Sequence, residues 1–325
     1  MKKKILMMTL IAVSLSLYAD YAESFLSIYP SSIGEGSRGG LYSYSDNLNP
    51  MFFYNPANSS NSISDNAYIE YEHKFLYSNN SHFNTASVIM PSIKSIRIGL
   101  GYVNQSISGI PIYPEYSDTV SFEPTGYFSD NAHCITVNAS YIYSNDPVSK
   151  YELAGGLNIK SIIHSIYENM GLGAGLDLGF NGSYKFNTLT EQAPSKISLG
   201  IALKDVGGTK VKWDTDSNTT DTRAMEYGIG LSYSADIRNA KSSAFLELDY
   251  SNKENGALGA SFIYKYNNMM GVFCGISEFI NADDDFNQRE IGGGCFLNIM
   301  NFGIYYSISQ TQIGFNHSVG LKYRV

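Results

Sequence analysis

The residues best suited to acid–base or metal chemistry are five histidines, His73, His82, His133, His164 and His317. No two of them have the spacing of a zinc-binding motif. A serine nucleophile on a sharp strand-to-helix turn would show the pattern Gly-x-Ser-x-Gly, and the sequence has no such pattern. We therefore predict core or interface roles for the histidines, and we predict no enzyme, no metal site and no cofactor.

Two other kinds of stretch are candidates for binding cations or phosphates. Residues 283–285 are all aspartate and follow Glu278, but they lack the glycine and terminal glutamate of a calcium-binding loop, which favours a solvated loop. The glycines of 171–175 and 292–294 would bind a nucleotide only between a strand and a helix. Both runs lie inside predicted strands, so nucleotide binding is not expected.

The composition is that of a strand-rich chain. Its 325 residues include 26 tyrosines, 17 phenylalanines and 30 glycines, and only 16% of the residues are charged. This mixture favours strands and turns over helices. The mean hydropathy of -0.15 argues against helical membrane spans. It is compatible with a membrane barrel, whose strands alternate outward apolar with inward polar residues. The net charge of -8 disfavours nucleic acid as a partner.

Apolar and polar residues alternate with period two along most of the chain. In residues 67–77, Ile69 and Tyr71 fall on one face and Glu70 and Glu72 on the other, as in a strand between apolar and wet surroundings. The same pattern predicts about fourteen strands, each near the roughly 9 to 11 residues that a tilted strand needs to cross a bilayer. The predicted strands are residues 67–77, 82–90, 94–106, 131–143, 150–161, 170–184, 195–205, 223–235, 242–251, 256–266, 269–280, 289–298, 300–309 and 313–325.

The predicted connections alternate in length, which is typical of outer-membrane barrels with short periplasmic turns and longer outer loops. The short ones include residues 90–95, 144–149, 236–241 and 267–268, and the long ones are 107–130, 206–222 and 281–288. The long connection 107–130 is apolar, so we expect it to lean over the barrel mouth or to contact lipid.

The two faces of the predicted wall differ. One face carries apolar residues in phase, among them Leu153, Leu172, Leu199, Leu231, Ile304 and Leu321. The opposite face is rich in glycine, at Gly171, Gly173, Gly175, Gly200, Gly228, Gly230, Gly259, Gly292, Gly294 and Gly303. Glycine weakens a strand unless something approaches it closely, so the lumen is predicted to hold a bulky occupant. Charged residues on the same face, including Lys74, Lys160, Asp177, Glu247, Asp249 and Glu290, are predicted to fix the wall and this occupant.

The N-terminus has the pattern of a secretory signal peptide, predicted as residues 1–19 with an alternative end at 22. Three lysines at 2–4 precede an apolar run at 5–17, and small residues follow at Ala19 and Ala22. The three cysteines are predicted to be wall residues. Cys274 and Cys295 fall on neighbouring predicted strands, which leaves a single disulfide open.

The predicted occupant of the lumen is the segment 24–58, within a hatch domain of residues 20–65 that precedes a barrel of residues 66–325. Its glycines allow tight turns, its prolines forbid a continuous strand, and its aromatic run requires burial. The residues predicted to shape the hatch and its gating are Gly39, Gly40, Asp46, Phe53, Tyr54, Asn55, Pro56 and Ala57.

The order of residues in this segment resembles the N-terminal hatch of long-chain fatty-acid transporters of the FadL type, and equally that of the related PorV/PorQ outer-membrane proteins. The resemblance lies in Phe25-Leu26, the glycine-rich turn 34–40, Asp46, the aromatic run 52–54 and Asn55-Pro56-Ala57. It implies an all-β, antiparallel transmembrane barrel with its N-terminus as a plug, in the outer membrane of a diderm bacterium.

The resemblance also implies two alternative functions. The first is a monomeric barrel in outer-membrane lipid that takes up hydrophobic small molecules such as long-chain fatty acids, gated by the hatch. The second is an accessory barrel of the PorV type that binds exported proteins in a secretion system. A purely structural barrel is the third hypothesis.

Overall fold

Fourteen antiparallel strands form a closed barrel in the computed structural model, which describes residues 23–43, 51–59, 66–113, 123–143, 150–187, 194–215, 219–237, 240–253, 256–280, 289–311 and 313–325. The predicted signal peptide, Asp46 and the aspartates of 283–285 lie outside these residues. The strands are β1 (Tyr68–Leu76), β2 (Ser81–Ile89), β3 (Ile96–Ile112), β4 (Gly126–Ile142), β5 (Tyr151–Ile166), β6 (Asn169–Asn187), β7 (Pro194–Lys204), β8 (Thr209–Trp213), β9 (Thr220–Arg223), β10 (Glu226–Ile237), β11 (Ser242–Ser251), β12 (Ala257–Tyr266), β13 (Met270–Phe279), β14 (Arg289–Ile299), β15 (Phe302–Gln310) and β16 (Phe315–Arg324).

Neighbouring strands of the barrel follow one another in sequence, and the first and last strands close it. β1 pairs with β16 from Tyr68–Arg324 to Phe75–His317. β7 pairs with β10, while β8 and β9 form an extra hairpin beside β6. The fourteen-strand prediction is confirmed, and only β8 and β9 were not predicted.

The hairpin β8–β9 continues the wall after a break. β6 pairs with β7 over residues 178–187 and with β8 over residues 171–174, on the same edge. Between β7 and β8 the backbone takes positive φ angles at Asp205, Gly207 and Gly208, which glycine adopts without strain. Gly207 and Gly208, within the connection predicted at 206–222, therefore allow the wall to bend between the two strands.

The connection predicted at 107–130 is strand at both ends, which corrects its predicted bounds, and residues 114–122 lie outside the described part of the chain. β3 continues to Ile112 and β4 begins at Gly126, with a β-bulge between Ile107 and Ile110. The bulge and Pro111 interrupt the alternation of residues, and this is why the sequence pattern indicated a loop.

The lumen contains an N-terminal segment, residues 23–43 and 51–59, which we call the plug. It holds one short helix, α1 (Ser32–Ser37), and three 3₁₀ turns, Ser24–Ser27, Met51–Phe53 and Pro56–Ser59. Among the described residues no helix is long and apolar enough to cross a membrane. The apolar side chains of the plug join those of the wall in two buried clusters. One comprises Ile33, Leu41, Met51, Tyr54, Phe245, Ile263, Phe273, Phe296 and Tyr305, and the other Phe25, Leu76, Phe83, Val103, Ala132, Cys134, Ile162, Val211 and Trp213.

Apolar side chains also cover the outside of the barrel, in the phase that the sequence predicts. Leu153, Leu172 and Leu321 are each more than half exposed, whereas their strand neighbours on the other face are buried or half-buried. The barrel therefore has an apolar exterior and a polar, plug-filled interior, the reverse of a soluble sandwich.

Candidate functional site

The helix α1 is positioned by its N-terminal cap and by one tyrosine of the plug. Ser31 caps the helix, and its Oγ accepts a hydrogen bond from Gly34 N at 3.1 Å. Ser31 N donates to Tyr54 Oη at 3.1 Å, and the two hydroxyls lie 2.9 Å apart. A Cβ at Gly34 would overlap Tyr54, so only glycine permits this approach. Tyr54, a predicted hatch residue, therefore holds the N-terminal turn of the helix.

Charged residues join α1 to the wall. Arg38 Nη1 donates to Glu35 Oε1 at 2.9 Å, and Lys74 Nζ lies 3.4 Å from Glu35 Oε2. Arg38 also forms an ion pair with Glu290 on β14. Burial disfavours the charged form of the Glu35 carboxyl, but Lys74 and Arg38 outweigh it and hold its pKa at about 2. These contacts tie α1 to β1 and β14, as the inward charges predicted.

The glycine-rich end of the plug is bonded to two carboxylates of β11. Gly40 N donates to Asp249 Oδ1 at 3.0 Å. Glu247 accepts from Tyr42 N at 2.7 Å and from Ser43 N at 3.1 Å. Wall carboxylates therefore satisfy backbone groups that have no strand partner of their own.

Three wall and plug glycines allow this end of the plug to approach so closely. A Cβ at Gly200 would lie 2.0 Å from Tyr42 O, and one at Gly228 would overlap the Tyr42 ring. A Cβ at Gly39 would lie 1.8 Å from Ser261 Oγ. The predicted reason for the glycine-rich inner face, a bulky occupant in contact, is confirmed here. On β6 the same role falls to the hairpin, since Val211 and Trp213 cover Gly171 and Gly173.

The Asn55-Pro56-Ala57 turn joins the two halves of the plug to the wall. Asn55 Nδ2 donates to Tyr42 O at 2.7 Å and to Phe180 O on β6 at 3.0 Å. Asn55 Oδ1 accepts from Ala57 N at 3.0 Å, which closes a local turn. Pro56 O accepts from Asn138 Nδ2 of β4 at 3.0 Å. The turn is fully buried, in line with its predicted position in the lumen.

Phe53 packs between the plug and β3. Its ring centroid lies 4.4 Å from that of Phe52, and a Cβ at Gly101 would lie 2.3 Å from the Phe53 ring. Phe53 is half-buried because one side of its ring borders a cavity.

The first described residues of the plug are bonded to the hairpin end of the wall. Arg223 of β9 donates from Nη1 to Glu23 O at 3.2 Å and from Nη2 to Ser27 Oγ at 2.6 Å. His164 of β5 contacts Glu23 Oε1 through Nδ1 at 3.1 Å. Arg223 also binds Asp205 at the bend between β7 and β8, so this bend and the plug share one charged anchor.

A cavity lies between the plug and the wall, with about 940 Å³ of empty space including its open mouth. Phe25, Leu26, Ile28 and Tyr29 of the plug line one side. The wall contributes apolar residues, Phe83, Val103, Cys134 and Phe279, and charged ones, Lys160, Asp177, Lys204, Asp205, Glu226, Asp249 and Lys253. Tyr42, Gly40 and Tyr54 also line the cavity, so displacement of the plug residues 40–43 would enlarge it.

Sequence patterns identified the plug, but they missed several of the plug and wall residues that form its contacts. Gly39, Gly40, Phe53, Tyr54, Asn55, Pro56 and Ala57 all lie in the plug in contact with the wall or with one another. Glu35, Arg38, Tyr42 and Arg223 were not predicted as site residues. The inward phase of Glu247, Asp249 and Lys74 was a usable signal, because a charge facing a closed lumen requires a partner.

Cys274 and Cys295 are free thiols on the outer face. They lie on adjacent strands, but in the strand register Cys274 lies opposite Gly293 and Cys295 lies opposite Val272. This offset of two residues leaves them diagonal to one another rather than directly opposite.

Solved channel structures share this fold. A deltaS2S3 mutant of TodX, a monoaromatic hydrocarbon channel, and the Pseudomonas putida toluene transporter TodX both match with a TM-score of 0.52 and 10% identity. The matches cover 90% of this chain and 97% and 96% of those chains. The CymD monoaromatic hydrocarbon channel matches with a TM-score of 0.50 and 8% identity, over 90% of this chain and 96% of that chain. No protein-family model and no curated protein matches the sequence. At these identities the likeness shows the fold alone.

Proposed function

We propose that the chain is an outer-membrane barrel of a diderm bacterium that admits hydrophobic small molecules through the cavity between plug and wall. The apolar exterior supports a place in a membrane, since residues such as Leu231 and Leu321 are more than half exposed around the barrel. The predicted signal peptide supports export from the cytoplasm. The fold shared with hydrocarbon channels is consistent with this role.

The cavity is the observation that carries the proposal. It lies beside Phe25, Ile28 and Tyr29, and these side chains offer an apolar surface in a lumen that also holds many charged groups. A polar lumen is unfavourable for an acyl chain or an aromatic ring, so an apolar lining is what a hydrophobic ligand requires.

Long-chain fatty acids are the ligand class that we propose within this function. Lys253 lies at the cavity, where its Nζ donates to Ser27 O at 3.2 Å and lies 5.3 Å from the Tyr29 ring centroid. An ammonium group beside an apolar surface suits a ligand with a carboxylate head and an apolar tail. A monoaromatic hydrocarbon, the ligand class in the names of TodX and CymD, would use the apolar surface without Lys253.

The plug is the proposed gate, with Gly39, Gly40, Asp46, Phe53, Tyr54, Asn55, Pro56 and Ala57 as the residues that shape it. Passage to the inner side requires residues 40–43 to leave Asp249 and Glu247, and Asn55 to release Tyr42 O. These are a few hydrogen bonds rather than a strand ladder, so local opening costs less than unfolding of the barrel.

Uptake measurements in cells that depend on this protein test the function. Val103→Trp places a large ring in the cavity, and Val137→Trp places the same ring on the lipid-facing side of β4, where Val137 is 47% exposed. We expect Val103→Trp to reduce uptake of a labelled fatty acid and Val137→Trp to leave it unchanged. Equal uptake in both variants, with a folded barrel on a heat-modifiability gel, would refute passage through the cavity. Lys253→Met should reduce uptake of a fatty acid but not of toluene, if the carboxylate is recognised.

The protein-binding hypothesis is not carried forward. It came from the resemblance of the hatch, and large outer loops would favour it. Strands β3 and β4 account for residues 107–112 and 126–130 of the long connection predicted at 107–130, and the solved structures that share the fold are named as channels and a transporter.

A further inference from the structure

The outer face of the barrel carries four of the five histidines on one side. His317 lies on β16, His73 on β1, His82 on β2 and His133 on β4, and all four alternate with inward residues. The fifth, His164, faces the lumen. An apolar exterior with imidazoles on four of five adjacent strands requires a reason, because polar groups that face lipid are unfavourable.

Two of these histidines, His73 and His133, belong to a chain of hydrogen bonds that crosses β1 to β4. His73 Nδ1 and Tyr71 Oη both lie within 2.9 Å of Asn84 Oδ1. Asn84 Nδ2 donates to Asn104 Oδ1 at 3.2 Å, and Asn104 Nδ2 contacts His133 Nδ1 at 3.2 Å. These residues and their neighbours on the outer face form what we call the polar strip. It comprises Tyr71, His73, His82, Asn84, Tyr102, Asn104, His133, Tyr306 and His317. Tyr102 Oη lies 2.7 Å from His133 Nδ1, and Tyr306 Oη 2.9 Å from His317 Nδ1.

This network of hydrogen bonds leaves donors and acceptors available to a ligand. His73, His133 and His317 each form these hydrogen bonds through Nδ1, and among the described residues the Nε2 of each has no hydrogen-bond partner. His82 stacks on His73 with ring centroids 5.5 Å apart.

The strip lies close to the outward rim of the barrel on three of its strands. His82 is the second residue of β2, Phe75 the second-last of β1 and His317 the third of β16. The turn above β1 and β2 is Tyr77 to Asn80, and its residues 78–80 are polar and exposed. His82 lies in the second residue pair below this turn and His73 with Asn84 in the fourth, so the strip begins near the level where lipid head groups meet the barrel.

The chemistry of the strip favours an uncharged head group. On the outward faces of β16 and β1 to β4 the described residues include no Lys, Arg, Asp or Glu. A phosphate would be expected to select Arg or Lys. Imidazole, amide and phenol groups both donate and accept, and Tyr71, Tyr102 and Phe75 add ring faces beside them. This combination matches the hydroxyl groups and apolar ring faces of a sugar.

We propose that the polar strip binds the sugar head group of a glycolipid in the surrounding membrane. The acyl chains of that lipid would lie along the apolar residues below the strip, such as Ile69 and Leu100, which are 45% and 49% exposed. The inference rests on the proposed membrane location but not on transport.

Native mass spectrometry of the full chain released from lipid nanodiscs tests the proposal. The nanodiscs contain phosphatidylcholine with equal minor amounts of monoglucosyl diacylglycerol and phosphatidylglycerol of the same acyl chains. We expect severalfold enrichment of the glucolipid over phosphatidylglycerol among the retained lipids. His73→Leu/Asn84→Leu/His133→Leu should reduce this ratio to parity. The control, Tyr227→Leu/Tyr250→Leu/Tyr264→Leu, removes three tyrosines on β10 to β12 and should retain the enrichment.

A second variant, Tyr102→Phe/His133→Phe, preserves ring size and serves if the triple variant does not fold. Parity in the unmodified protein, enrichment that persists in both strip variants, or preference for phosphatidylglycerol would each overturn the proposal. So would a protein that co-purifies through the strip in place of lipid. Failure of the unmodified chain to enter nanodiscs would instead refute the membrane location itself. If the unmodified protein enriches the glucolipid but does not take up fatty acid, only the transport function is refuted.

Discussion

Gly156 of β5 lies directly against the backbone of Pro56, so that a Cβ on Gly156 would be 2.1 Å from Pro56 O. Its neighbour Gly155 points the other way, and the nearest atom to a Cβ there is Gly179 O at 3.9 Å. Of these two adjacent glycines, only Gly156 contacts the plug.

Gly156→Ala should weaken the docking of the Asn55-Pro56-Ala57 turn, whereas Gly155→Ala should not. Forcing a methyl group into a filled space costs about 1 to 3 kcal/mol. We expect the loss in unfolding free energy, or faster proteolysis of the plug, only for Gly156→Ala. Equal behaviour of the two variants would show that the turn does not contact β5 in solution.

Glu247→Ala should release the glycine-rich end of the plug. The substitution leaves the buried Tyr42 and Ser43 amides without an acceptor, at about 1 to 3 kcal/mol for each unsatisfied group. Hydrogen exchange at residues 40–43 should become faster while exchange in β11 and β12 is retained. Glu278→Ala is the matched control, since Glu278 pairs with Arg289 on an exposed surface. Unchanged exchange in Glu247→Ala would contradict the assignment.

Asn55→Ala should loosen the plug by removing the donor to Tyr42 O and Phe180 O and the acceptor for Ala57 N. We expect a loss of about 1 to 3 kcal/mol in unfolding free energy in detergent, and altered fatty-acid uptake. Asn55→Asp retains the acceptor but places a carboxylate oxygen against two carbonyl groups, so it should not restore stability. Rescue by Asn55→Asp would mean that only the local turn matters. Asn55→Ala with Pro56→Gly should increase the effect, and unchanged uptake would exclude these residues from gating.

Leu199→Arg should destabilise the barrel in a bilayer, because Leu199 is 46% exposed on the outer face of β7. An arginine facing lipid near the midplane costs about 2 to 4 kcal/mol. Leu199→Phe, at the same site, should change the unfolding free energy in vesicles little. If both variants unfold at the same denaturant concentration, the outer face of β7 does not contact lipid.

The wall was predictable from the sequence because its signal is local. In β1, Ile69 and Tyr71 alternate with Glu70 and Glu72, and strand pairing preserves that alternation from one strand to the next. The prediction failed where the local pattern is interrupted. Gly109 and Pro111 concealed the outer part of β3, and Gly207-Gly208 concealed the continuation of the wall into β8.

The contacts of the plug were not predictable, because they join residues far apart in sequence. Glu247 and Tyr42 are 205 residues apart, and no period in either stretch relates them. The sequence did indicate that each side requires a partner. The plug has backbone groups with no strand to pair with, and the wall has glycines and carboxylates that face the lumen. Which carboxylate binds which amide depends on the closed barrel.

Ser32 of α1 lies 2.8 Å from Ser318 of β16, Oγ to Oγ, and Glu35 accepts from Asn316 of the same strand at 3.0 Å. A segment that precedes the barrel in sequence is thus bound by the last strand of the barrel. During assembly the plug cannot reach these partners until the final hairpin is in place, and the seam between β1 and β16 closes at the same stage. Closing the seam therefore also completes the contacts of α1, and a variant that lacks β16 would have an open sheet edge at β1 and would leave Ser32 and Glu35 without these two partners.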